Sequence, residues 1–225
     1  IMNKLRIVFI SLIASALMVL PSTAKEVRVG IAAGMTAIAA EGKETLKSSG
    51  RVQKSEAANI AVIPSIFAEF ASDNGFGLGI EVVSGSADIN SATRSRSNDN
   101  GGTNDSGTNK ASAEIDGLTT VYVIKSFESG FFVKAGMSST TVNTKEVLAT
   151  GSDYKNADVD GTMLGMGFSA TNDNGVFFRI SGEYTDYDDI ALTSTTAADA
   201  TTTTKNKINA SVDTLAAKLS IGKAF

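Results

Sequence analysis

The chain of 225 residues carries 20 Lys and Arg against 24 Asp and Glu, a formal charge of −4, with no Cys, no His and no Trp. Without Cys there is no disulfide scaffold, thiolate metal site, catalytic thiol or lipid-modified cysteine, and without His the commonest general base and metal ligand is missing. Near-balanced charge gives no reason to expect nucleic acid or another polyanion as partner.

From the N-terminus, Lys4 and Arg6 precede an uncharged apolar run from Ile7 to Leu20, followed by Pro21-Ser22-Thr23-Ala24. A basic region, an apolar stretch and a small-x-small site make a secretory signal, with cleavage predicted after Ala24. As a helix the run rises only about 21 Å, short of the roughly 30 Å hydrocarbon core. Segment 1–24 is therefore expected to be a cleaved signal peptide and 25–225 a single domain.

A first strand is predicted over Val27–Ala39, although its Ala-rich part is a weak strand by propensity. After it, one punctuation mark recurs three times: Ser72-Asp73-Asn74-Gly75, Phe127-Glu128-Ser129-Gly130 and Thr171-Asn172-Asp173-Asn174-Gly175. Each ends in Gly, which supplies the positive φ of a tight turn, and each stands between two runs of period-2 alternation. Long polar connections separate the hairpins, over 41–56, 84–112, 140–158 and 186–206, and their composition predicts mobility. With a last strand over about Leu215–Phe225, the total is eight, with short turns at one end and long loops at the other.

The faces are read by parity. Strand two sets Ile60, Val62, Ile66, Ala68 and Phe70 against Asn59, Ser65 and Glu69, with a bulge predicted at Pro64. Strand three sets Phe76, Leu78, Ile80 and Val82 against Gly77, Gly79 and Glu81. Strand four, about Glu114–Lys125, has mixed faces, and Ile115, Val121 and Val123 are assigned to the outside. Strand five sets Phe131, Val133, Ala135 and Met137 against Lys134, Gly136 and Ser138. Strand seven sets Phe178, Ile180 and Tyr184 against Arg179, Ser181 and Glu183. Val212, Leu215 and Leu219 also fit helical spacing, which leaves the start of the last strand open.

Eight strands leave an interior just wide enough for side chains, which suits the small and charged set. The predicted lumen network is Arg28, Lys134, Arg179 and Lys218 against Glu69, Glu81 and Glu183, with Glu114 and Asp116 also assigned inward. Unpaired charges there would be costly, so ion pairs are expected to plug the barrel, with Phe67, Phe132 and Phe177 filling its short-turn end. Phe70, Phe76, Phe131, Phe168 and Phe178 lie near turns, where an aromatic girdle meets a membrane interface.

Two motifs and one absence bear on chemistry. Gly165-Met166-Gly167-Phe168-Ser169-Ala170 fits a dinucleotide pattern but lacks the following helix. Asp186, Asp188 and Asp189, beside Tyr184 and Tyr187, do not have the spacing of a defined calcium loop. There is no Gly-x-Ser-x-Gly elbow and no His to act as base. Neither an enzyme nor a cofactor or metal is expected.

An export signal, eight alternating strands, tight turns at one end and a terminal Phe225 resemble the small eight-stranded outer-membrane β-barrels, the group of the outer-membrane protein A barrel domain, the OmpX type and the opacity-type surface proteins. That resemblance implies an all-β, eight-stranded antiparallel up-and-down transmembrane β-barrel in the bacterial outer membrane, with short periplasmic turns and long extracellular loops. It also implies that Leu219, Ile221 and Phe225 form a signal read by the barrel-assembly machinery, with Lys223 departing from the family's apolar pattern. The expected role is structural and surface-interactive, in contact with outer-membrane lipids and lipopolysaccharide and with an extracellular ligand at the loops. Lys43, Lys47, Arg51 and Lys54 are the bases available for phosphate. A small passive porin and a soluble secreted ligand-binding barrel are the alternatives.

Overall fold

The computed structural model describes residues 24–47, 50, 52–83, 85–90, 94–96, 107–110, 112–145, 147–148, 152–196 and 205–225. The predicted signal, up to residue 23, and the polar stretches 97–102 and 201–204 lie outside the described residues. In chain order the strands are β1 (Ala24–Thr45), β2 (Val52–Ser72), β3 (Phe76–Val83), β4 (Ser86–Asn90), β5 (Arg94–Arg96), β6 (Gly107–Asn109), β7 (Ser112–Ser126), β8 (Phe131–Thr144), β9 (Ala157–Thr171), β10 (Val176–Tyr187), β11 (Ile190–Thr193) and β12 (Lys207–Ala224).

Neighbours pair antiparallel around a closed sheet. β1 pairs with β2 on one side and with β12 on the other, β4 continues the stave of β3, and β11 continues that of β10. The result is an all-β barrel of eight staves, with β5 and β6 as a separate small ladder.

The three Gly-ended turns are built alike. Gly75, Gly130 and Gly175 have φ of 79°, 83° and 77°, and each donates its N–H to the carbonyl three residues back, at 2.9 Å. Each then accepts a bond from the next stave: Ser126 N–H to Gly75, Ser169 N–H to Gly130 and Ala224 N–H to Gly175. The remaining junction is closed by the chain end, where Val27 and Phe225 exchange two backbone bonds of 3.1 and 2.9 Å.

Alternation sorts the side chains. Outward on β1 stand Val27, Val29, Ile31, Ala33, Met35, Ala37 and Ala39, before Glu41. At about 3.4 Å per residue and a tilt near 40°, those twelve steps rise about 31 Å, the thickness of a hydrocarbon core. Val62 is 72% exposed on the outside whereas Glu69 is 0% exposed within. A soluble barrel would carry its charges outside and its apolar residues inside, so that alternative is excluded. No described helix is long and apolar enough to cross a membrane; the membrane is crossed by strands.

Four readings of the strands are corrected. First, Ile115 faces the interior at 7% exposure. The register of β7 against β8 slips between Asp116 and Thr119, and this bulge, at Gly117 with φ of 65°, reverses parity. Ile115 therefore turns inward, while Glu114 and Asp116 turn outward, and Glu114 pairs there with Lys145. Val121 and Val123, beyond the bulge, do face out.

Second, Pro64 produces no bulge against β1, where Ala33↔Pro64 sits in unbroken register; instead it is the first residue past the end of the β2–β3 ladder, which stops at Ser65↔Val83. Third, β12 begins eight residues earlier than predicted, because it pairs with β1 up to Thr45↔Lys207. Val212 is buried and Leu215 and Leu219 are exposed, which is strand alternation. Fourth, the connections are shorter than composition suggests. β1 and β2 continue pairing to Thr45↔Val52, since above the apolar band both faces of a paired ribbon can be polar.

Candidate functional site

The interior is layered along the staves. Nearest the short turns lies an aromatic floor in which each ring is seated on a glycine of the neighbouring strand: Phe67 opposite Gly30, Phe132 opposite Gly167 and Phe177 opposite Gly222. A Cβ added at Gly30 or Gly222 would come within 2.5 or 2.3 Å of those rings. Tyr122 sits on Gly79 in the same manner.

On this floor stands Arg179. Its guanidinium carbon is 5.5, 5.4 and 4.7 Å from the ring centres of Phe67, Phe132 and Phe177. It grips Glu69 bidentately, Nη1 to Oε1 at 2.5 Å and Nη2 to Oε2 at 2.7 Å, while the Tyr122 hydroxyl donates to Glu69 Oε1 at 2.7 Å. Arg179 Nε has no hydrogen-bond partner; attraction to the three ring faces offsets part of that loss.

Next along the axis comes a quartet. Lys134 Nζ lies 2.5 Å from Glu183 and 3.7 Å from Glu81, and Lys218 Nζ lies 2.7 Å from Glu183 and 2.6 Å from Glu81. Ser65 Oγ adds a 2.7 Å bond to Glu81. Three cations thus meet three carboxylates with no net charge. The structure brings together six of the seven residues named for the lumen network and leaves Arg28 apart. Register sets Arg28 opposite Glu69, but both Glu69 oxygens are already occupied, and Arg28 pairs with Glu26 instead.

Beyond the quartet most of the lumen side chains are apolar. Ile38, Ala87, Ile89, Ile115, Val142, Val159, Tyr187, Ile190 and Val212 form one buried cluster, and a cavity of about 50 Å³, lined also by Thr36, Thr120, Thr185 and Thr214, lies between it and Glu183 and Lys218. At the long-loop end a polar cap closes over this cluster. Tyr154 donates to Glu44 at 3.0 Å, Asn206 donates to Ser152 at 2.9 Å, Lys47 N–H reaches Asn206 at 3.1 Å, and Thr195 N–H reaches Asp153 at 2.7 Å. These loop segments are tied down by buried Leu46, Tyr154 and Asn206, a departure from the mobility expected of every long connection.

One seam in the wall has no ladder. β2 pairs with β3 only as far as Ser65, β4 pairs only with β7, and among the described residues no backbone hydrogen bond joins β2 over 52–64 to β4. A single side-chain bond spans it, from Asn59 Nδ2 to the Asp88 carbonyl at 2.5 Å. Elsewhere the lips meet through side chains, with Ala57, Ala61 and Ile63 of β2 and Ala87 and Ile89 of β4 in the same apolar cluster.

On the outside, Phe70, Phe76, Phe168 and Phe178 are exposed near the short-turn end, and Phe131 packs 5.4 Å from Phe168 and 5.8 Å from Phe127. Leu219, Ile221 and Phe225 also face out. Asp186 lies opposite Asp213 at the upper edge of the apolar band, and among the described residues no group of acidic side chains converges to hold a metal.

Sequence reasoning missed Tyr122, the bond of Asn59 across the seam, the ring contact of Phe127, the apolar upper lumen and the cap. Tyr122 was within reach: Val121 and Val123 outward place it inward, opposite Gly79. The bulge at Gly117 hid that parity.

No protein family and no curated protein matches the chain. Solved structures do. The outer membrane protein OprG from Pseudomonas aeruginosa superposes with a TM-score of 0.60 at 15% identity, over 90% of this chain and 97% of that one. The outer membrane protein AlkL, solved in lipid bilayers, superposes with a TM-score of 0.56 at 10% identity, over 90% and 91%. A lower TM-score of 0.47, at 10% identity and over 90% and 98%, relates it to the outer membrane protease OmpT from Escherichia coli. The chain has the fold of the small eight-stranded outer-membrane β-barrels.

Proposed function

We propose that this barrel accepts a small apolar molecule in the outer half of its lumen and passes it sideways into the membrane through the seam between β2 and β4. The observation that carries this reading is the missing ladder beside an apolar half-lumen. An axial aqueous path is disfavoured by the floor: three rings, a bidentate Arg–Glu pair and a neutral Lys–Glu quartet fill the width that eight strands allow. An apolar lining above a charged floor selects against ions and for hydrocarbon. With short turns periplasmic, the chamber lies in the exterior half of the barrel beneath the polar cap, and its exit opens at the height of the outer leaflet.

The test uses refolded, heat-modifiable protein. In planar bilayers it should carry no steady current, and in liposomes it should bind 1-N-phenylnaphthylamine saturably and shed it into the bilayer. Reproducible ohmic steps would restore the passive porin. Absence of saturable binding would remove the apolar chamber.

A second reading, contact with lipopolysaccharide, is favoured by Lys43 and Lys54, which stand opposite one another just above the apolar band, where they can bond phosphate. The variant K43A/K54A should then refold less efficiently in lipopolysaccharide-containing bilayers and normally in phospholipid alone. Equal loss in both would reject it. The barrel-assembly signal at Leu219, Ile221 and Phe225 belongs to the same proposal of an outer-membrane protein.

A further inference from the structure

A sheet that stops pairing leaves donors and acceptors on both lips, and in an apolar surrounding each unmet group is costly. At the seam one amide meets one such group on each lip. Asn59 Oδ1 accepts the N–H of Ile60 on its own strand at 2.9 Å, while its Nδ2 donates across the gap to the carbonyl of Asp88 at 2.5 Å. The side chain thus serves one edge group on each lip. Among the described residues it makes the one hydrogen bond that joins β2 above Ser65 to β4. We infer that Asn59 is the latch of the seam, and that breaking its bond to Asp88 lets the lips part.

Three features support a latch over a fixed strut. The bond is single where a ladder would make several, so its loss leaves only side-chain contacts holding the lips. The far lip is hung on bendable points: β4 leaves β3 at Gly85, with φ of 120°, and the strand behind it bulges at Gly117, with φ of 65°. The cavity of about 50 Å³ is also about a third of the roughly 150 Å³ of a dry protein cavity that holds benzene. Any apolar molecule of that size requires the wall to move, and the seam is the place where movement breaks one bond and not a ladder.

This inference rests on the proposed conduit for its purpose but not for its test. The chain has no Cys, so V62C/S86C, two outward positions on opposite lips, can be spin-labelled cleanly and the inter-label distances read by pulsed EPR in bilayers. Asn59→Asp keeps the acceptor for Ile60 and removes the donor to Asp88. Asn59→Ala repeats the test without a new charge should the first variant fail to fold. In both, the distance distribution should shift to longer values, and transfer of 1-N-phenylnaphthylamine to the bilayer should accelerate about fivefold, the effect of one lost neutral hydrogen bond. Distances equal to those of the parent pair would overturn the latch, whatever the probe does. Parted lips with no probe transfer would keep the latch and remove the conduit. Transfer that is indifferent to Asn59 with unmoved lips would keep the conduit and remove the latch.

Discussion

The buried charges of the floor are the residues on which the lumen depends most. Arg179 and Glu69 meet two on two where water is absent, so truncating one strands the other. Arg179→Ala is expected to lower stability by about 3–5 kcal/mol, read as a lower urea midpoint for the refolded barrel. The double variant E69L/R179M, which removes both charges and keeps volume, should recover most of that loss. If the double variant is no better than the single one, the pair is not the reason. The glycine seats make a second point at this scale. A Cβ on Gly79 would lie 2.4 Å from the Tyr122 ring, so Gly79→Ala forces the ring and its bond to Glu69 to shift. A cost of about 1–3 kcal/mol is expected in the same urea assay. An unchanged midpoint would mean that the Tyr122 ring moves aside freely.

At the scale of the element, one inserted residue decides a face. The β7 bulge gives Ile115 to the apolar cluster and keeps Glu114 and Asp116 outside. Gly117→Ala meets no neighbour within 4 Å and should cost only its left-handed backbone, about 1–2 kcal/mol. Deleting Gly117 keeps composition almost unchanged but should drive two carboxylates inward and abolish the heat-modifiable band. Equal behaviour of the two variants would show that the bulge does not set parity. The same element marks where the sequence ceased to be legible. Alternation on β2, β3, β8 and β10 could be read because each keeps one parity over its length, and the charged floor could be read with it. Ile115 could not, since a bulge has no signature beyond a glycine in a strand. The seam could not either, because Pro64 announces a missing N–H but not which partner is lost. The polar ends of β1, β2 and β12 resemble loops in composition, and only their mutual pairing makes them strands.

At the scale of the molecule, the barrel exists only when its first and last strands meet, and the chain end is the fastener. β1 and β12 stay in register from Arg28↔Ala224 to Thr45↔Lys207, and Val27 and Phe225 add two further backbone bonds at the short-turn end, while the Phe225 ring remains 71% exposed toward the membrane interface. Backbone closure and an outward aromatic are separable. Phe225→Ala keeps both bonds and removes the ring; deletion of Phe225 removes both. If the ring is what an assembly machinery reads, the two variants should reach the membrane in equally reduced amounts in cells, yet Phe225→Ala should refold in detergent as well as the parent. If closure alone matters, Phe225→Ala should assemble normally in cells and only the deletion should fail. Quantifying the heat-modifiable form in both settings separates the two roles, because a backbone bond acts wherever the barrel folds and a recognition signal acts only where something recognises it.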